Sequence, residues 1–350
     1  NPREIAGNGI DDYNNGYIDD ERGYDFVSPD GDPMDDHGHG THVAGIIGAT
    51  GQNKIGIAGV CWKIRLMAVK AFDENGDGDL AEIIAAIHYA VSNGAQIING
   101  SWGGAEKSRA LEEIIAEANM AGVLFVAAAG NEKNATPLYP AAYADVFAVA
   151  ATDHNDQRAP FSSFGAFVDV AAPGDAIYST MPNNRYDYLN GTSMAAPHVS
   201  GLAALILARH PEFSHREIEN IIRNTADPIT TDKYIGSGRI NACRALQVNA
   251  PLPVAKLNLP DALKGVMPIL GAAQGENFAG YSLLYGKGDS PTNWTELFSS
   301  GIPVADGILL DRLSTAQMEE GTYTIKLIAR NAEGQSAIDR VVVNISNISF

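Results

Sequence analysis

Between residues 64 and 225 the sequence alternates short apolar runs with segments of helical period, which restricts the fold more than any other feature. Residues 64–72 predict a buried strand, 80–91 a helix, 96–99 a strand and 108–120 a helix, with further strands over 123–128, 146–151 and 167–171. Residues 193–209 read as a helix built largely of small side chains. Ser214 with Glu217 forms a capping box for a helix ending near Asn224. Strands alternating with helices imply a mostly parallel sheet covered on both faces, so the expected class is a doubly wound α/β fold.

At 350 residues the chain has room for two domains at roughly 150 residues each. The pattern changes at Pro251, Leu252 and Pro253, which read as a linker. Beyond it come short alternating runs at 280–286, 307–313, 321–330 and 337–345. In the third, Tyr323, Ile325, Leu327 and Ala329 share one face, while Thr324, Lys326 and Arg330 share the other. The expected units are an α/β domain over 1–248 and a β-sandwich over 251–350.

A formal charge of −18 disfavours binding to a phosphate backbone, so no nucleic-acid partner is expected. No run approaches the roughly 18 consecutive apolar residues of a membrane span. Cys61 and Cys243 give no disulfide framework and are expected to be buried thiols. The opening Asn1-Pro2 has no basic-then-apolar leader, so a targeting segment is expected to have been removed or to lie outside this sequence.

Three segments carry chemistry. In the run from Gly191 to Gly201, Ser193 stands at the start of an apolar helix, where free N–H groups and the helix dipole favour negative charge on its oxygen. Pro197 is placed in the first turn, which needs no helical N–H. Alone, such a serine is equally a cap. In the run from Gly38 to Gly45, His39 and His42 lie three apart at a helix start. They read as a metal pair, as structural residues, or as the source of a base for the serine proton. In the run from Ala127 to Glu132 a buried strand ends at Gly130-Asn131, either a simple turn or an amide donor to an oxyanion.

Taken together, these runs resemble the subtilisin-like serine proteases, over roughly residues 1–248. The resemblance implies His39 as general base, Ser193 as nucleophile and Asn131 as oxyanion donor beside the Ser193 N–H, with His42 and His198 structural. It implies that a peptide is clamped between Gly76-Asp77-Gly78 and Ser101-Trp102-Gly103. Ala128 and Gly130 would line the first side-chain pocket. Phe72, Leu80, Ile83 and Trp102 would line apolar sites beyond it, giving broad specificity with large apolar residues preferred. Asp77 and Asp35 suggest a secondary taste for Lys or Arg. A cis peptide is expected at Tyr139-Pro140.

The resemblance also exposes a gap. The family's aspartate ends a buried strand before the histidine, and no such turn precedes His39; the opening residues resemble the segment that follows that aspartate. Asp25 is the nearest stand-in. Three explanations are open: an N-terminal fragment of the same precursor supplies the aspartate as a separate partner, the chain is truncated, or the enzyme is impaired and serves as a peptide-binding or adhesion protein.

Structural calcium is the expected cofactor. Residues 1–40 hold eleven Asp or Glu against Arg3 and Arg22. Asp12, Asn14, Asp19 and Asp20 suit a hard cation or form a solvated loop. Asp30, Asp32 and Asp35 resemble a calcium loop of heat-stable relatives, Asn53 resembles part of another, and Asp169 is expected at a weaker site near Tyr143. Residues 73–79 match half an EF-hand loop, but Ile84 stands where Glu is needed, so a substrate strand is preferred there. The C-terminal part resembles immunoglobulin-like or fibronectin-like domains that serve docking, attachment or stability. The whole reads as a secreted endopeptidase.

Overall fold

The computed structural model describes residues 1, 3–231, 233–260, 262–289 and 291–347. In chain order the first part comprises β1 (Gly23–Asp25), α1 (His39–Gly48), β2 (Ala68–Lys70), α2 (Leu80–Ser92), β3 (Ile97–Gly100), α3 (Arg109–Met120), β4 (Leu124–Ala128) and β5 (Phe147–Thr152). It continues with β6 (Val170–Pro173), β7 (Ile177–Met181), β8 (Arg185–Leu189), α4 (Thr192–Arg209), α5 (His215–Thr225) and α6 (Ala242–Ala245).

Strands β3-β4-β5-β6 form a parallel sheet in that order. Every residue of β4 and β5 is buried, as apolar strands covered on both faces require. Leu124 and Val126 pack with Val199, Leu202 and Ile221 of α4 and α5, whereas Phe125 and Ala127 pack with Ile115 and Ile87 of α3 and α2. The strand period of two thus divides one strand between two helical layers. Helix starts follow the local chemistry: Asp79 accepts from the Ala81 N–H at 2.7 Å, Ser108 from Leu111 at 3.3 Å, and the Ser214–Glu217 capping box is formed.

Three local expectations are corrected. The strand expected over 64–72 is regular only at 68–70; β2 pairs with β1 on one side and with nothing described on the other, and Leu66 is left 45% exposed. The strand expected over 167–171 begins at Val170, because the preceding residues form a turn and the Asp169 carboxylate accepts the Ala148 N–H at 2.8 Å. Cys61 is buried, but Cys243 is exposed on the short α6.

The second part contains β9 (Val254–Asn258), β10 (Ala262–Leu263), β11 (Val266–Gln274), β12 (Phe278–Lys287), β13 (Thr295–Ser300), β14 (Val304–Ser314), β15 (Gly321–Asn331) and β16 (Ser336–Ile345). They form a five-stranded sheet, β10-β16-β15-β12-β13, and a three-stranded one, β14-β11-β9. Leu283, Ile325 and Leu327 from the first meet Leu257, Ile269 and Leu309 from the second in one core, a sandwich arrangement. Strands β9, β11 and β13 were not legible in the sequence. The sandwich sits on α5: Asn224 Oδ1 accepts the Ile338 N–H at 2.6 Å, and Asn220 Nδ2 donates to the Leu252 and Pro253 carbonyls at 3.3 and 2.7 Å.

Candidate active site

Ser193 is the second residue of the 18-residue α4, whose first turn holds no acidic side chain. With the Thr192 N–H taken by Asn131 Oδ1 and the Met194 N–H by the Gly191 carbonyl, the Ser193 N–H and the positive dipole end of the helix act on the serine. Gly191 keeps the approach open, since a Cβ there would stand 3.7 Å from that of Ser193. Pro197 lies in the second turn, not the first as expected. Lacking an N–H, it leaves the Ser193 carbonyl without its helical donor. The Ser101 hydroxyl donates to that oxygen at 2.8 Å, and Ser193 Oγ donates to the Ser101 carbonyl at 3.2 Å.

Behind this pair, Asn99 Nδ2 donates to Ser101 Oγ at 2.9 Å and the buried Ser200 hydroxyl donates to Asn99 Oδ1 at 2.8 Å. Sequence reasoning missed Asn99 and Ser200. The available signal was a polar residue inside an apolar strand and another on the buried stripe of a helix.

Asn131 follows β4. Its Oδ1 accepts from the Thr192 N–H at 3.0 Å and the Thr192 hydroxyl at 3.2 Å, while the same hydroxyl accepts the Gly130 N–H at 3.0 Å. With Oδ1 so held, Nδ2 is the free end of the amide, 3.5 Å from where a Gly191 Cβ would stand. Ala128 is buried at the end of β4 just before this turn.

His39 opens α1, which packs against α4 through Val43, Ile46, Ile47 and Met194. The Ser179 and Thr180 hydroxyls of β7 donate to the His42 and Thr41 carbonyls at 2.7 and 2.8 Å. Gly45 permits this contact, because a Cβ there would lie 2.1 Å from Thr180 Oγ1. Burial first, and then the charge of His37 (6.3 Å ring to ring), pull the His39 pKa below its ordinary value, against the pull of Asp35. Its ring has no hydrogen-bond partner among the described residues.

His42 turns away to the β7–β8 hairpin, with Nε2 3.1 Å from the Ile177 carbonyl and 3.2 Å from that of Asp187, so the two histidines do not form a metal pair. His198 Nδ1 donates to the Met194 carbonyl at 2.8 Å. Asp25, the stand-in carboxylate, is buried; it accepts the Val27 and Ser28 N–H groups and lies 3.1 Å from Lys70 Nζ, so these partners rather than His39 engage it.

Phe72, Gly76, Asp77, Gly78, Leu80 and Trp102 line one cavity of about 2910 Å³, together with Ser101, Gly103 and His39. The Phe72 and Trp102 rings lie 5.8 Å apart, and a Cβ on Gly78 would meet Phe72 at 2.6 Å. Gly103 is confined by the Tyr139 carbonyl at 3.1 Å, and the Tyr139-Pro140 peptide is cis, as expected. Ligand pockets measure about 300–1,000 Å³. This cavity is larger because it continues between β2 and β3, whose facing edges have no described partner.

Several of the expected calcium ligands already accept hydrogen bonds within the loop. Asp12 accepts from the Ile5 N–H and from Asn8, Asp19 from the Asn8 and Gly9 N–H groups, and buried Asp20 from Asn1, Asn15 and Tyr89. Asn14 takes a φ of 57° in the same loop. Asp30 accepts the Asp32 N–H and Asn53 the Ile55 N–H. Asp35 caps α1, accepting from Gly38 and Thr41 at 2.7 Å; though burial opposes it, these bonds hold its carboxyl below the usual range. Arg223 lies 2.6 Å from Asp169, where a cation was expected. Among the described residues no three His, Cys, Asp or Glu side chains gather to hold a metal. The donor set does not fit a calcium ion as it stands.

The profile of the subtilase family matches residues 4–249. The chain belongs to the subtilase family. Relatives include a thermophilic serine proteinase of Bacillus sp. (strain AK1), 48% identical over 226 residues, which are 64% of this subtilase and 56% of that protein. Thermitase of Thermoactinomyces vulgaris is 45% identical over 226 residues, 64% of this chain and 80% of its own. Subtilisin DY of Bacillus licheniformis is 44% identical over 229 residues, 64% and 83% respectively. This subtilase thus spans little more than half of the first relative and about four fifths of the other two. No helix among its described residues is long and apolar enough to cross a membrane.

Proposed function

We propose that this subtilase is a secreted serine endopeptidase of broad specificity. Ser193 Oγ attacks the peptide carbonyl, His39 takes its proton and returns it to the leaving amine, and water then releases the acyl group from Ser193 by the reverse proton path. The Asn131 Nδ2 and the Ser193 N–H hold the oxyanion. The observation that carries this reading is the orientation of Asn131, whose Oδ1 is bound to Thr192 so that its amide donor flanks the open end of α4.

The aspartate of the triad comes, in this reading, from a strand of the same precursor that lies parallel between β2 and β3 and ends beside His39. The unpaired edges and the cavity between them support that placement. Phe72, Leu80 and Trp102 favour large apolar substrate residues, and exposed Asp77 adds a secondary preference for Lys or Arg. Asp35 is withdrawn from that role by its cap on α1. The sandwich is an immunoglobulin-like or fibronectin-like accessory domain. No step runs through calcium.

The test is a denaturing intact-mass spectrum of the purified protein after exposure to a fluorophosphonate. An adduct on Ser193 together with a smaller companion peptide supports an assembled protease. In subtilisin, loss of the triad aspartate alone costs about 3 × 10⁴ in turnover, so the reaction without a companion should be slow but measurable. No adduct with the companion present would overturn the catalytic reading in favour of a peptide-binding or adhesion role.

A further inference from the structure

The outward face of the five-stranded sheet carries a basic cluster that the peptidase reading does not use. Ile325 and Leu327 are fully buried in the sandwich, so Lys326 between them points out. Arg340 of β16 is its direct cross-strand partner, and Arg330 lies on the same face four residues on, bonded to Ser282 Oγ at 3.3 Å. Like charges directly opposite each other on a sheet repel.

No carboxylate relieves them among the described residues. Asp339, next to Arg340, is engaged by the Leu257 and Arg340 N–H groups at 2.6 and 2.9 Å. In the same row Glu296 stands two strands away, beyond Leu284. Burial, and then Arg340, push Lys326 down to about 8.

The cluster also has an aromatic floor. The Lys326 ammonium lies 3.6 Å from the centroid of the half-buried Trp294 ring, and the Arg340 guanidinium lies 5.7 Å from it. Gly286 makes room for the loop that delivers this tryptophan, since a Cβ there would meet Pro291 at 2.4 Å and the Asn293 carbonyl at 2.8 Å. Two fixed cations without counter-ions beside an indole match a ligand that is anionic at one edge and apolar on one face.

We propose that Trp294, Lys326 and Arg340 bind a carboxylate-bearing sugar unit of an acidic polysaccharide. The carboxylate bridges the two cations, and the C–H face of the ring packs on the indole face that Lys326 does not cover. A nucleic acid would lay a phosphate at every step along a chain of net charge −18. A uronic-acid unit needs only the small cationic area present.

The full chain should be retarded in a gel containing polygalacturonate and should migrate normally in one containing dextran. Its affinity should fall with salt. Lys326→Gln and Arg340→Gln should each weaken retardation about tenfold or more, and Trp294→Ala likewise. The two glutamine variants should keep the wild-type urea midpoint or exceed it, because the repulsion is removed; that separates loss of binding from loss of fold. Equal retardation of wild type and folded variants would overturn the proposal, as would dextran binding of equal strength, or preference for an oligonucleotide over polygalacturonate. Fluorophosphonate labelling of Ser193 should be the same in all variants, so the site stands or falls apart from the peptidase reading.

Discussion

Ser101 and Ser193 are bonded to each other in both directions: the hydroxyl of each donates to the carbonyl of the other, at 2.8 and 3.2 Å. The first bond exists because Pro197 cannot supply the helical donor to the Ser193 carbonyl. A proline that looks like a defect inside α4 thereby ties the proposed nucleophile to the strand segment proposed to clamp substrate. Ser101→Ala would leave that carbonyl and the Asn99 amide without a partner. The expected loss is about 1–3 kcal/mol in urea unfolding, with slower labelling of Ser193.

Asn131→Leu tests the oxyanion role. Deleting such a donor from a subtilisin lowers turnover by about 10²–10³, and a similar fall in kcat with little change in KM is expected here. A drop in KM affinity instead would place Asn131 in ground-state binding.

Stability should depend on pH in two opposing ways. Burial is the leading cause that lowers the pKa of His39, His42, His198 and His215. Such bases take up protons first in the unfolded chain, so stability falls as pH drops below about 6.5. Glu219 behaves oppositely: burial raises it to about 7, with Arg223 opposing and Asp169 adding. Its contribution is present below the unfolded value near 4.5 and is lost as pH rises through 7. Glu219→Gln, which cannot ionise, should be more stable than wild type at pH 8 and nearly equal at pH 4, read from urea midpoints.

Leu66 gives a test of the gap beside β2. It is 45% exposed, so Leu66→Asp should change the stability of this chain by less than about 0.5 kcal/mol. In the assembled protein the same change would set a charge against the proposed strand. Loss of the companion peptide on size-exclusion chromatography is the expected result, and its retention would place the strand elsewhere.

The α/β fold was legible where the signal was local and repeated. Fully apolar runs marked β4 and β5, and the capping box read at Ser214 and Glu217 is formed in the structure. Strand β2 read too long because apolar character marks what a segment could bury, whereas only residues 68–70 find a strand partner, in β1. The motif around Ser193 marked a helix that the structure forms over Thr192–Arg209, and the Gly130-Asn131 motif marked the turn after β4. Asn99 and Ser200 were not, because the bond between them spans 101 residues and only the folded sheet creates it. The acidic residues of the first loops are spaced to suit a cation, and in the structure several of them accept hydrogen bonds from loop amides while Asp169 pairs with Arg223.

The grip of Asn224 on Ile338 has a further consequence. The sandwich is bolted to the helix behind the serine rather than strung on a tether, so anything that holds the sandwich also sets the heading of the cleft. An enzyme moored through that outer face would work a fixed arc of its surroundings, like a crane on a plinth.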